Sequence, residues 1–145
     1  MKKLFLIIFI PLMVSCNFFN DEKIIFTNYP IIVIDKYTGS AYRGGIYYSI
    51  KIFNGDDVEW YNTNEEDFNR IMVNDTLKKY TIKNGYLRLT NKPTMVIKME
   101  SLNIDNNLYH RIKIFDGHDV SWYKISEEDF NKIKGGDTLK NFIIK

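Results

Sequence analysis

"IYYSIKIFNGDDVEWYNTNEEDFNRIMVNDTLKKYTIK", Ile46–Lys83, returns 62 positions later as "LYHRIKIFDGHDVSWYKISEEDFNKIKGGDTLKNFIIK", Leu108–Lys145. The two stretches align without a gap, and 22 of the 38 pairs are identical. A weaker match lies upstream, where "TNYPIIVI" (Thr27–Ile34) pairs with "TNKPTMVI" (Thr90–Ile97) at an offset of 63. Self-similarity at one period marks a supersecondary unit written twice. The copies span 25–83 and 87–145, with 84–86 as a linker. The offset changes within "DKYTGSAYRGG" against "KMESLNIDNN". That segment reads as a loop, where insertions cost little.

Each copy has the same internal order. "PIIVIDKY", opened by Pro30, is rich in strand formers. "IYYSIKIFNGDDVEWY" alternates on both sides of Asn54-Gly55, a hairpin signal repeated at Asp116-Gly117. A two-residue loop would mix apolar and charged residues on both faces. A three-residue loop, Phe53-Asn54-Gly55 with Gly55 left-handed, pairs Ile50 with Val58, Tyr48 with Trp60 and Lys51 with Asp57. The second copy pairs Ile112 with Val120, His110 with Trp122 and Lys113 with Asp119. That register separates an apolar face from a charge-paired one, as a half-buried hairpin needs. It places Trp60 and Trp122 in the core. It turns Tyr61 outward beside Tyr47, and Tyr123 outward beside Tyr109.

A short helix follows. Ser126 with Asp129, and Asn64 with Asp67, resemble a capping box with Asp in place of Glu. The acids Glu65, Glu66 and Asp67 suit a helical first turn. Asn74 and Gly136 stand just beyond, and Asn and Gly are the residues that most readily turn left-handed after a helix. "DTLKKYTIK" and "DTLKNFIIK" close each copy as strands. The expected fold class is mainly β, with one short helix per repeat. It is built as two tandem small curled-sheet or barrel-like repeats, SH3-like or OB-like in size only. Units of about sixty residues are marginal alone, so the copies are expected to pack on each other.

Composition agrees with a folded, strand-rich chain: of its 145 residues, 45% are hydrophobic and 15% aromatic. The 20 Lys and Arg include Lys2 and Lys3; without these two, 18 bases face 18 acids. A near-neutral chain without a basic run does not suit nucleic acid.

The chain opens on "MKKLFLIIFIPLMVSC", with Lys2 and Lys3 ahead of an apolar run from Leu4 to Val14. The run is short of the roughly 20 residues that a spanning helix needs, and it fits a signal-peptide core. Met13-Val14-Ser15-Cys16 resembles the lipobox of bacterial lipoproteins, although Met13 stands where Leu is usual. The resemblance implies cleavage after Ser15 and lipidation of Cys16, giving a signal peptide over 1–15 and a lipidated tether over 16–24. Cys16 is the single cysteine of the chain. Membrane attachment would then rest on acyl chains, each buried CH₂ contributing about 0.8 kcal/mol. Asn17 follows the cysteine. In enterobacterial lipoproteins Asp at that place marks inner-membrane retention, so its absence implies the outer membrane. A plain secretory signal and an uncleaved anchor are the alternatives.

Candidate chemistry is sparse. The acids of the repeated helix start and of Asp75 and Asp137 do not follow a calcium-loop spacing, and capping accounts for them. His110 and His118, placed near each other on one face by the three-residue loop, lack the three or four convergent ligands that zinc requires. There is no nucleophile motif, phosphate loop or dinucleotide fingerprint. Asp75-Thr76-Leu77 and Asp137-Thr138-Leu139 resemble the O-glycosylation acceptor motif of Bacteroidota. No cofactor or metal is expected. Tyr47, Tyr61, Tyr109 and Tyr123 form the candidate interaction surface, for a glycan, a peptide or an envelope protein. Cross-strand packing is the plainer account of the same residues. The sequence reads as a non-enzymatic, lipid-anchored envelope binding module, or as an inhibitor or immunity-type lipoprotein that blocks one toxin, phage or enzyme.

Overall fold

The computed structural model describes residues 22–145. The stretch read as a signal peptide, Cys16 and Asn17 lie outside the described residues. Among the described residues ten strands and two helices follow in order: β1 (Ile24–Phe26), β2 (Ile32–Ser40), β3 (Ile46–Phe53), β4 (Val58–Thr63), α1 (Glu65–Arg70), β5 (Tyr80–Lys83), β6 (Tyr86–Leu89), β7 (Met95–Ile104), β8 (Asn107–Phe115), β9 (Val120–Ile125), α2 (Glu127–Lys132) and β10 (Phe142–Ile144). The described chain is mainly β. A seven-stranded sheet has the order β1-β10-β5-β6-β4-β3-β2, and a three-stranded sheet the order β7-β8-β9. Neither sheet closes into a barrel.

The two hairpin units, β2-β3-β4 and β7-β8-β9, join the short end strands at corresponding places. β4 joins β6 through Asn62 and Tyr86, with Asn62 N–H donating to Gly85 C=O at 2.9 Å. β9 meets the start of β1 through Lys124 and Lys23, with Lys124 N–H donating to Glu22 C=O at 3.0 Å. The short end strands are exchanged. β1, before the first copy's hairpin, pairs antiparallel with β10 at the end of the second. β6, before the second hairpin, pairs antiparallel with β5 at the end of the first. β5 and β10 then lie side by side in parallel.

The exchange seals both cores. Leu87 of β6 is fully buried among Ile50, Ile52 and Ile82, while Ile24 of β1 is fully buried among Ile112, Ile114 and Phe142. Burial of one such side chain is worth about 1.5–3 kcal/mol. Tyr80 of β5 and Phe142 of β10, equivalent positions in the two copies, stack with centroids 5.4 Å apart and ring planes 17° apart. The Tyr80 hydroxyl accepts from Phe142 N–H at 3.0 Å and donates to Phe142 C=O at 3.2 Å. Burial pushes the Tyr80 phenol pKa up, against the lowering effect of the Phe142 backbone, so it stays a neutral donor.

Local signals account for the element ends. Asn64 Oδ1 accepts from Asp67 N–H at 2.7 Å, and Ser126 Oγ accepts from Asp129 N–H at 3.1 Å. Asp67 does not return to the cap backbone as a longer Glu would. It accepts from Asn64 Nδ2 at 2.9 Å and from Leu89 N–H at 3.0 Å, tying α1 to β6. Asn74 and Gly136 have φ of 73° and 90°. There the chain turns back to bond β2 and β7, with Asn74 N–H on Val33 C=O and Gly136 N–H on Val96 C=O, each at 2.8 Å.

Two expectations are corrected. The segment read as a loop is mostly strand: β2 and β3 pair as far as Ser40 and Ile46, and β7 and β8 as far as Ile104 and Asn107. The extra residue lies at the hairpin tip, in Tyr42-Arg43-Gly44 against Asp105-Asn106. The hairpin register also differs. Phe53 pairs with Val58, Lys51 with Trp60 and Ile50 with Tyr61, and the second copy repeats this with Phe115–Val120, Lys113–Trp122 and Ile112–Tyr123. The loop therefore has four residues. Asn54 Oδ1 accepts from Asp56 N–H at 3.0 Å and Asp57 N–H at 2.8 Å. Asp116 Oδ1 does the same for His118 and Asp119. An Asx side chain that satisfies two loop amides belongs at the start of the loop, not in its middle.

Tyr80→Phe should destabilise the protein by about 1–3 kcal/mol, because it leaves buried Phe142 backbone groups without their partner. Urea unfolding checks this, and an unchanged midpoint would show that the central contact carries no stability.

Candidate functional site

The corrected register reverses the faces. Tyr61 and Tyr123 are buried, at 5% and 2% exposure, whereas Trp60 is 47% exposed. Tyr47 and Tyr109 do lie on the exposed face. The expected outer pairs Tyr47–Tyr61 and Tyr109–Tyr123 are not formed. Successive residues of β4 face opposite ways, so a change of three in register moves Tyr61 inward and Trp60 outward. Tyr61 spans the edge of the core and its hydroxyl bonds the Glu59 carboxylate. Burial first, then that bond, pushes its pKa up.

On the outer face of the first copy, Tyr37 of β2, Tyr47 of β3 and Trp60 of β4 form a continuous run. Ring centroids are 6.0 Å apart for Tyr37–Tyr47 and 6.4 Å for Tyr37–Trp60. Lys51 lies over the Trp60 ring at 5.5 Å. Ser49, covered by this layer and 8% exposed, donates to Asn62 Oδ1 at 3.2 Å. Gly39 makes room for the Tyr47 ring, into which a side chain at that position would intrude; the ring planes of Tyr37 and Tyr47 are 50° apart and those of Tyr37 and Trp60 72° apart. Hydrogen bonding with Tyr37, more than desolvation, raises the Tyr47 pKa, so the phenol stays neutral.

Trp60 also walls a cleft of about 550 Å³ between β4 and the ends of the central strands, lined by Glu59, Tyr61, Asn84, Gly85 and Lys145. Lys145 Nζ lies 3.7 Å from Glu59. The cleft thus follows the edge of β4, with the bonded Glu59 and Tyr61 side chains on one face of the strand and Trp60 on the other.

The second copy carries different chemistry on the same frame. Tyr37 corresponds to Glu100 and Ser49 to Arg111, which are ion-paired at 2.6 Å; Lys98 meets Glu100 at 2.8 Å. The Arg111 guanidinium lies over the Trp122 ring at 4.3 Å. Leu102 stands where Gly39 stands, across from Tyr109. Glu22 stands where Gly85 stands and pairs with Lys83 at 3.0 Å; Lys83 in turn donates to the Tyr123 hydroxyl at 3.4 Å. The same hairpin is open and aromatic in one copy, ion-paired in the other.

His110 and His118 do not meet. His110 lies at the far end of β8, bonded to Ser101 at 2.8 Å and packed on Phe130 at 4.5 Å, while His118 sits in the β8–β9 loop. Among the described residues no group of three or more His, Cys, Asp or Glu converges on a common point. The acids Asp67, Asp75 and Asp137 accept from backbone amides. Thr76 and Thr138 are exposed and bridge β2 and β7. Among the described residues no helix is long and apolar enough to cross a membrane. No protein-family model, curated protein or solved structure matches this chain.

Sequence reasoning missed Tyr37 and Trp60 as surface residues. The available signal was the contrast between copies at paired positions, Tyr37 against Glu100 and Ser49 against Arg111.

Two measurements follow from these faces. With Trp122→Phe the remaining Trp60 should be quenched by acrylamide more steeply than Trp122 is in Trp60→Phe; equal slopes would mean that the first face is not open. Hydrogen bonds from Lys98, then Arg111, hold the Glu100 carboxyl below its ordinary pKa. Its stabilising contribution is present above the ordinary glutamate range and is lost as pH falls through the lowered folded-state value. The gap in urea midpoint between wild type and Glu100→Gln should therefore shrink on acidification, and a constant gap would refute the pairing.

Proposed function

We propose that this chain is a lipid-anchored protein of the bacterial cell envelope that binds its ligand non-covalently on the outer face of the first copy. The observation that carries the binding reading is the exposed run Tyr47–Tyr37–Trp60 leading into the Glu59–Asn84–Lys145 cleft. Exposed aromatic rings beside groups that can hydrogen-bond are the usual anchors of recognition surfaces. The ion-paired second face supports the choice of the first, since the shared fold does not itself require open rings. The two copies are read as curled β modules arising by duplication, the second serving mainly as scaffold.

The anchoring reading rests on the Met13-Val14-Ser15-Cys16 signature, and the outer-membrane assignment on Asn17. An inhibitor-type lipoprotein would use the same face for a single protein partner. Cys16→Ser should abolish palmitate labelling and release the protein from membranes; retention of both would overturn the anchoring. For binding, the detergent-solubilised protein should co-sediment with washed envelope material. Tyr37→Ala with Trp60→Ala should remove that association while Trp122→Ala leaves it. Equal loss in all variants, or none, would refute the assignment to the first face.

A further inference from the structure

We infer that the ligand of this face is a neutral, extended β-linked glycan chain, laid across Tyr47, Tyr37 and Trp60 toward the cleft that Trp60 borders. The inference rests on the reading of the first outer face as the binding surface, and it names the chemistry.

A pyranose ring offers C–H groups on its faces and hydroxyls around its rim. The faces suit aromatic rings, which supply broad apolar contact at little conformational cost. The hydroxyls need both donors and acceptors at the border of those rings. The first face has this arrangement. Three rings succeed one another at 6.0 and 6.4 Å across β2, β3 and β4, with successive planes tilted by 50° and 72°, which suits an extended chain that turns from residue to residue better than a compact ligand. On the same face stand exposed Asn62 and Asp35, with Lys51 over the Trp60 ring.

Charge narrows the choice further. Glu59 is paired with Lys145, and Lys51 is the cation seated over Trp60. Positive and negative groups are mixed, and a strongly anionic polymer would call for a single-sign surface. A peptide added as a strand would engage a sheet edge through its backbone. Here the rings stand on the face, over the buried Ser49.

The contrast between copies bears on the same surface at four places. Gly39 leaves room for the Tyr47 ring where Leu102 stands in the second copy. Gly85 leaves the cleft open where Glu22 pairs with Lys83. Tyr37 and Ser49 replace the Glu100–Arg111 pair that lies against Trp122. All four differences bare ring or cleft surface on the first copy.

The test is titration of the full-length protein, in a detergent without a sugar headgroup, with cellohexaose and with chitohexaose. Tryptophan fluorescence and calorimetry are the readouts. Saturable binding of at least one oligosaccharide is expected. It should be lost in Trp60→Ala, weakened by about tenfold or more in Tyr37→Ala, and unchanged in Trp122→Ala. Gly39→Leu should weaken it by lifting Tyr47, with the urea midpoint reporting whether the fold is kept. Absence of saturable binding to both sugars, or binding by Trp60→Ala equal to wild type, overturns the glycan assignment. If envelope association still depends on Tyr37 and Trp60 in that case, the binding face stands and a protein partner takes the place of the glycan. If that dependence is also missing, both readings fall.

Discussion

The exchange of end strands is the constraint on which the rest of the structure depends. β1 and β6 are too short to form a stable edge of their own. Each instead pairs with the last strand of the other copy and inserts one fully buried residue, Ile24 or Leu87, into a core it does not share in sequence. Tyr80 and Phe142 meet at the centre of this arrangement. Because equivalent positions face each other, a single hydroxyl satisfies the backbone of the opposite strand, and Phe142 needs none of its own. A slip of one residue in β1 would replace Ile24 in the core by Lys23 or the half-exposed Ile25, so packing specifies the register strongly.

Inward-facing positions are consequently tied to the frame, and outward-facing ones are not. Ile50 and Ile112, Ile52 and Ile114, and Tyr61 and Tyr123 are identical between copies and buried in both. On the opposite face, Tyr37 against Glu100, Gly39 against Leu102 and Ser49 against Arg111 have diverged completely. Trp60 and Trp122 are the same residue in two electrostatic settings, one beside Tyr37 and one beneath a guanidinium. Stacking of Arg on Trp is itself favourable, so the second face has its own stabilising layer. The first leaves its aromatic surface to solvent. Exposed aromatic rings contribute little to folding, which makes them informative about binding.

Much of the local grammar was legible. The helix caps at Asn64 and Ser126, the left-handed Asn74 and Gly136, and the left-handed Gly55 and Gly117 arise from contacts within a few residues. The candidate site was legible only in part. Tyr47 and Tyr109 face outward, but Tyr61 and Tyr123 were placed on the wrong side. Both registers leave an alternating pattern, and what distinguishes them is a side-chain oxygen of Asn54 or Asp116 bonding two loop amides. The hairpin signal at Asn54-Gly55 marks the turn without stating its length. The strand character of 38–40 was hidden for a related reason: β2 lies at the end of its sheet order, and Thr38, Gly39 and Ser40 resemble loop composition.

By itself, the amino-acid sequence determined a strand-rich chain written twice, the caps and stops of each copy, and the identity of the residues available for a core. Those properties come from composition, repetition and bonds between near neighbours. Tertiary structure alone decided which strand pairs with which copy, because an end strand's backbone can bond either partner and only burial of Ile24 and Leu87 distinguishes them. It also decided that Trp60 stands outward beside Tyr37 and above an open cleft. That neighbourhood joins β2, β4 and β10, which are distant in sequence and meet only when the whole sheet has formed.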